Sequence, residues 1–278
     1  MNYKDIQALP FNRMWKERHP ESLDETRSFW EKRANEFNDI TRSKDKEERL
    51  ELIGFLEQRG ALKSDFHVLD LGCGAGRHAL EFADRTGYVT GIDISPKMIA
   101  YAKENAVEAG ARNTSFEVAP WEELVLDARN WEQAFDLVFA SMSPAIHNQE
   151  TLLKFHQASR GHCFMNGFIE RTDLLQRRLA GLLFPDLEWG PYEGSIYFAF
   201  NVLWQQGIHA DVLCKHTGWT NDWDVETAIN NYLPSFRSFA PPGMDVECEL
   251  RRHLHAEARE GRLLRETQAE TAWLYWRV

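Results

Sequence analysis

Residues 68–80 read VLDLGCGAGRHAL. A short apolar run, Val68-Leu69-Asp70-Leu71, carries one aspartate and leads straight into three alternating glycines, Gly72, Gly74 and Gly76. Continuous apolar residues without a polar alternation read as a strand buried on both faces. The residues after the glycines read as a helix. A strand, a glycine turn and a helix in that order place the turn beyond the carboxyl end of a parallel strand, where open α/β sheets bind their ligands. The glycines let a ligand approach the backbone closely.

Working outward, the same texture repeats. YVTGIDI (88–94), TSFEVA (114–119), FDLVFASM (135–142) and HCFMNGFIE (162–170) are short runs rich in Val, Ile, Leu and Phe, with helix-like segments between them. The segment 94–110 is one of these: Ser95 suits an N-cap, Pro96 the first helical position, and Met98, Ile99, Ala102 and Ala106 one inner face. Strands alternating with helices predict an α/β fold, a three-layer doubly wound and mostly parallel sheet of seven strands.

Before the sheet, residues 1–60 are helix-prone and rich in charges of both signs. Ser22 with Glu25 three residues on forms a capping box, followed by Phe29, Trp30, Ala34 and Phe37 at helical spacing. A second helix over 44–60 ends at Gly60. This is an N-terminal helical cap, and 61–170 is the ligand-binding core. Residues 171–207 predict two helices around a Pro/Gly-rich turn, a helical lid carrying Phe184, Trp189, Tyr192, Tyr197, Phe198, Phe200 and Trp204. Within 208–278, the strands over 209–219 and 270–278 complete the sheet around a helix at 224–233.

Composition sets outer bounds. The 278 residues are 43% hydrophobic and 27% charged, with a formal net charge of -11. An acidic chain is not drawn to phosphate backbones, which speaks against nucleic acid as a general partner. Cys73, Cys163, Cys214 and Cys248 form no CxxC pair, so neither a zinc knuckle nor a disulfide framework is indicated. The first twenty residues lack the apolar core of a signal peptide, and no run of some 18 apolar residues appears, so a cytoplasmic protein without a membrane span is expected.

The ligand class is decided by Asp70. A dinucleotide turn reads GxGxxG with a pyrophosphate over the helix start. Here the spacing is GxGxG, and a carboxylate two residues before Gly72 would repel a pyrophosphate but suit an ammonium group. VLDLGCGAG resembles the first motif of the class I S-adenosylmethionine-dependent methyltransferases. GIDIS resembles their second motif, and FDLVFASM their fourth. The resemblance covers roughly residues 60–170 and is closest to the small-molecule branch, with its type 11/12/25-like domains.

That resemblance implies S-adenosylmethionine as cofactor and S-adenosylhomocysteine as product. It implies that Asp70 and the backbone of Gly72, Cys73 and Gly74 hold the methionine end, and that Asp93 accepts from the ribose hydroxyls. Ile94 and Met98 would flank the adenine, and Ser141 would lie near the sulfonium. One departure stands out: Pro120 occupies the place of the acid that meets the adenine amino group, which leaves Trp121 and Glu122 as the adenine contacts. Trp30, Phe37, Tyr192 and Tyr197 are the expected substrate contacts in a closed apolar pocket.

No catalytic signature is present. Methyl transfer from a sulfonium needs alignment above all, and a base only when the nucleophile arrives protonated. His147, six residues past Ser141, is the one candidate base. His209, Cys214 and His216 fall close together without a fourth ligand, so no metal is expected, and His253-x-His255 does not converge on a helix. The expectation is methyl transfer to a small, partly apolar molecule by a monomer or homodimer. The rivals are an RNA or protein methyltransferase, a cofactor-binding protein without transfer activity, and a nicotinamide oxidoreductase.

Overall fold

The computed structural model describes residues 9–17, 22–42, 47–190 and 192–278. The start of the predicted second helix (44–46) lies outside them, as do residues 1–8 and 18–21. Along the chain run α1 (Phe11–Glu17), α2 (Leu23–Arg42), α3 (Glu47–Gln58), β1 (His67–Leu71), α4 (Arg77–Ala83), β2 (Tyr88–Asp93) and α5 (Pro96–Ala109). Then come β3 (Thr114–Val118), a 3-10 turn (Trp121–Glu123), α6 (Leu126–Arg129), β4 (Phe135–Ser141), α7 (Gln149–Ala158) and β5 (Ser159–Asp173). The chain closes with α8 (Leu174–Leu183), β6 (Tyr192–Glu193), α9 (Ile196–Gln205), β7 (Asp211–Asp224), α10 (Val225–Arg237), α11 (Val246–Glu257) and β8 (Arg262–Arg277).

The strands form one sheet in the order β3-β2-β1-β4-β5-β8-β7, with β6 paired to β5 off this path. The expected seven strands are therefore that path, and the two-residue β6, antiparallel to β5, is an eighth. The pairs β1–β2, β1–β4, β2–β3 and β4–β5 are all parallel. Reversal of the strand order at β1 and β4 is the switch point at which such sheets open a ligand crevice. Asp70 lies between Gly91 of β2 and Phe139 of β4, just below that crevice.

The chain divides into two compact units, one taking in residues up to Gly167 with Ser195–Leu213 and Trp273–Val278. Its core is what the apolar runs foretell: Val68, Val89, Leu137, Phe139 and Phe164 are fully buried, with the Phe139 and Phe164 rings stacked at 5.1 Å. Gly91 interrupts β2 because a Cβ there would meet the Phe116 ring at 2.6 Å and Cys73 Sγ at 3.0 Å. In α5, the Ser95 hydroxyl accepts the Met98 amide at 3.1 Å. Gly110 ends that helix in the left-handed region at φ 71°.

The other unit comprises Phe168–Gly194 and Cys214–Ala272, so the stretch 171–207 contributes to both. It has a core of its own, in which Leu179, Ala228, Phe236, Leu250 and Leu254 are fully buried. Asp173 joins its elements: the carboxylate caps α8 at the Gln176 amide (3.0 Å) and accepts from Tyr232 Oη (2.9 Å) and Arg265 Nε (2.5 Å).

Candidate active site

The glycine turn is held by backbone bonds, not by its side chains. The amides of Gly72 and Cys73 both donate to Ile92 O, at 2.8 and 3.0 Å, which strings the turn across the end of β2. Gly72, Gly74 and Gly76 all have positive φ, at 72°, 54° and 88°. At Gly72 a Cβ would collide with the hydroxyl of Ser143, just past the end of β4. Glycine is thus required there twice over, by conformation and by space.

Asp93, at the end of β2, accepts the Gly74 amide on Oδ2 (3.0 Å) and the Ser95 amide on Oδ1 (2.9 Å). Burial raises its pKa against the pull of those two amides, and the nearby Glu31 charge adds to the rise. Each carboxylate oxygen carries two acceptor sites, so the Gly74, Ser95 and Ile94 amides do not fill the carboxylate and leave it able to accept from a ligand. Asp70 lies deeper, only 2% exposed. Burial first, and then the charge of Asp93, pushes its pKa up to about 7, although the Ala79 amide donates to it. Its Oδ2 has no partner among the described residues.

Above the turn is a cavity of about 230 Å³. Gly72, Cys73, Gly74, Asp93, Ile94, Met98, Trp121, Glu122 and Ser141 line it, together with Trp30 and Phe37 from α2. Trp30 meets Phe37 edge to face at 5.3 Å, forming an aromatic wall. The Trp121 indole is 1% exposed and donates to Thr151 O at 3.0 Å, so the ring is fixed in place. Burial raises the pKa of Glu122, and His147 Nδ1 stands 3.7 Å from its carboxylate. The site contains buried carboxylates, a glycine turn without room for side chains and an aromatic wall, so it suits a ligand with hydroxyls, a cation and a flat ring system.

Several wall residues escaped the reading of the sequence, Ser143, His78 and Met142 among them. The Ser143 hydroxyl is buried without a partner among the described residues and faces the cavity. His78, also on the wall, is held neutral down to about pH 3, by burial and then by Arg77 and Arg49. Between Ser141 and Ser143, Met142 takes a left-handed conformation (φ 51°), with its amide 2.9 Å from Asn166 Oδ1. No sequence pattern announces a methionine in that region.

Other expected residues lie elsewhere. Asp70 is beneath the cavity and not on its wall. His147 is off the wall too, its Nδ1 within 3.2 Å of Pro144 O. Tyr197 is 55% exposed on α9 and packs edge to face on Phe11 at 6.0 Å, because it faces α1. Tyr192 belongs to the other unit, where it lines a separate cavity of about 350 Å³ with Arg171, Trp189 and Phe239. Among the described residues no group of three or more His, Cys, Asp or Glu could hold a metal. No described helix is long and apolar enough to cross a membrane.

Comparison with known proteins falls on the same region. Residues 62–173 match the model of a family described as a methyltransferase domain. Aklanonic acid methyltransferase DauC of Streptomyces sp. (strain C5) is 43% identical over 79 residues, 27% of this chain and 34% of that protein. The 23S rRNA (uracil(747)-C(5))-methyltransferase RlmC of Halothiobacillus neapolitanus is 42% identical over 73 residues, 26% of this chain and 19% of that one. The chain thus spans about a third or less of the length of these curated relatives. A putative methyltransferase from Bacillus halodurans has the same fold, with a TM-score of 0.50 at 14% identity over 81% of this chain and 97% of its own.

Residues 62–173 therefore carry a methyltransferase domain with the class I methyltransferase fold. The cofactor this fold implies is S-adenosylmethionine, and the glycine turn, the carboxylate ending β2 and the end of β4 all border the cavity it would occupy. The collision a Cβ would make at Gly72 and the open acceptor sites on Asp93 fit the cofactor's close approach and its ribose.

Proposed function

We propose that this chain transfers a methyl group from S-adenosylmethionine to a small, partly apolar molecule. The observation that carries the reading is the Asp93 carboxylate, fixed by two backbone amides on the wall of a cavity roofed by Trp30 and Phe37. When bound, the cofactor supplies an electrophilic methyl carbon on a sulfonium with a neutral thioether as leaving group. This chain's residues bind and orient. Asp93 takes the ribose hydroxyls, and the backbone of Gly72, Cys73 and Gly74 cradles the methionine end above Asp70. Ile94 and Met98 flank the adenine, with Trp121 and Glu122 at its edge. Ser141 and Ser143, at the end of β4, face the reacting side.

The aromatic wall excludes water and favours a compact acceptor. The net charge of -11 supports the same choice over RNA. The similarity to an RNA methyltransferase spans only 73 residues and bears on the shared domain, not on the acceptor. His147 is given no proton-transfer step, because it sits behind Glu122 and off the wall.

The test is incubation of the protein with methyl-labelled S-adenosylmethionine and fractionated extract. Label in a low-molecular-weight product is expected. Label confined to RNA or protein would sink the small-molecule assignment, and absence of any product would sink the transfer itself. Asp93→Ala should weaken S-adenosylhomocysteine binding by about a hundredfold in calorimetry, the loss of two charge-assisted hydrogen bonds. Unchanged affinity would remove Asp93 from the site.

A further inference from the structure

We propose that Glu31 is a positioning residue, linking closure of α2 over the cavity to the carboxylate of Asp93. The proposal rests on the reading of that cavity as the cofactor site. Helix α2 is 20 residues long, yet only Ala34 and Asn38 are buried on it. A helix anchored by packing would bury an apolar stripe along its length. This one is fastened to α5 by polar bonds instead. Asn35 Oδ1 accepts from Tyr101 Oη at 2.7 Å, Asn38 Oδ1 from Asn105 Nδ2 at 2.9 Å, and Arg42 donates to Asn105 and Glu108 at 2.9 and 2.7 Å.

Glu31 begins that ladder, since positions 31, 35, 38 and 42 share one helix face. Its Oε1 accepts the Ser95 hydroxyl at 2.6 Å and the Lys97 amide at 2.9 Å. The Lys97 amide belongs to the first turn of α5, where no carbonyl of the same helix can reach it, and where negative charge is favoured. Ser95 also donates its amide to Asp93, which accepts the Gly74 amide on its other oxygen. A continuous path of bonds therefore runs Glu31–Ser95–Asp93–Gly74, from the roof of the cavity to its floor.

The other side of α2 faces the cavity, with Trp30, Phe37 and Ile40 on the wall. A helix held by few apolar contacts and many exposed polar bonds belongs to the readily opened part of a fold. With α2 in place, the start of α5 is capped from outside and Asp93 is held in its rotamer. With α2 released, Ser95 and Lys97 lose their acceptor, and Ser95, whose amide helps to orient the carboxylate, loses an anchor. Linkage makes the effect reciprocal: a ligand gripped by Asp93 holds α2 down.

The experiment measures S-adenosylhomocysteine binding by calorimetry, and hydrogen exchange of residues 22–42 with and without that ligand. The proteins are wild type, Glu31→Ala, Glu31→Gln and Glu36→Ala, the last altering an α2 carboxylate that faces Arg33. Glu31→Ala is expected to lose about tenfold in affinity and to abolish the ligand-induced protection of 22–42. Glu31→Gln, which keeps an acceptor oxygen, should stay within about threefold of wild type, and Glu36→Ala should match it. Should Glu31→Ala fail to fold, Glu31→Asp takes its place, shorter by one methylene, with a three- to tenfold loss expected. Wild-type affinity with unchanged protection in Glu31→Ala would overturn the proposal, as would equal losses in Glu31→Ala and Glu36→Ala. No binding by wild type would instead overturn the cofactor reading on which the proposal rests.

Discussion

Asp70 combines a sequence signal with a cost that only the fold reveals. Its carboxyl titrates near 7 because burial, and then the Asp93 charge, oppose ionisation. The pKa is raised above the unfolded value of 3.8, so the folded state binds the proton more tightly. Stability attached to this group is complete below about pH 4, is lost as the pH rises towards 7, and is flat beyond. At about 1.4 kcal/mol per pH unit the loss approaches roughly 4 kcal/mol. Asp70→Asn should therefore flatten the fall in thermal midpoint between pH 4 and 7, followed by circular dichroism without ligand. Parallel curves for the two proteins would show that Asp70 ionises freely. The aspartate and the glycines were legible because their signal is local: spacing within nine residues. Ser143, His78 and Glu31 were not, because each acquires its role from residues far along the chain. Glu31 meets Ser95, 64 positions away, and nothing in α2 advertises that partner.

At the scale of elements, the 3-10 turn Trp121–Glu123 depends on a side chain from another helix. Lys154 of α7 donates its ammonium to the carbonyls of Trp121, Glu122 and Leu124 at 2.6, 3.1 and 2.9 Å. Burial lowers its pKa, against the attraction of Glu150 and Glu122. Three charge-assisted bonds hold the turn that brings Trp121 and Glu122 to the cavity. Lys154→Met keeps the apolar stem and removes those bonds. S-adenosylhomocysteine affinity should fall about tenfold by calorimetry, with a loss of about 2 kcal/mol in chemical denaturation. Wild-type affinity would show that the turn holds without it. The buried strands β1, β2 and β4 were legible as unbroken apolar runs. Strand β7 was read only to Trp219 because it is exposed along most of its length, and its polar residues hide the five further positions to Asp224. Helix α11 went unread for a related reason: Val246, Leu250 and Leu254 keep helical spacing, but the charges among them mask it.

Across the whole molecule the two units keep separate cores, although β5, β7 and β8 each contribute residues to both. The sequence spoke clearly for the first unit, whose strands are buried and whose turns carry glycines. It was quieter about the second, because a small core of helices against the far ends of long strands produces no continuous apolar run. Phe236 is a central residue of that second core, fully buried with Trp189, Phe184 and Tyr232 at ring distances of 5.0, 5.7 and 6.1 Å. Truncating such a ring costs about 3–5 kcal/mol, through lost burial and the void left behind. No residue of this core belongs to the core beneath the glycine turn, so the damage should stay local. In Phe236→Ala, hydrogen exchange should quicken across residues 225–263. Affinity for S-adenosylhomocysteine should remain within about twofold of wild type, since every cavity-lining residue lies in the first unit. A collapse of affinity alongside the faster exchange would mean that the first unit does not keep its site when the second loosens. The long shared strands would then be the route by which one core supports the other.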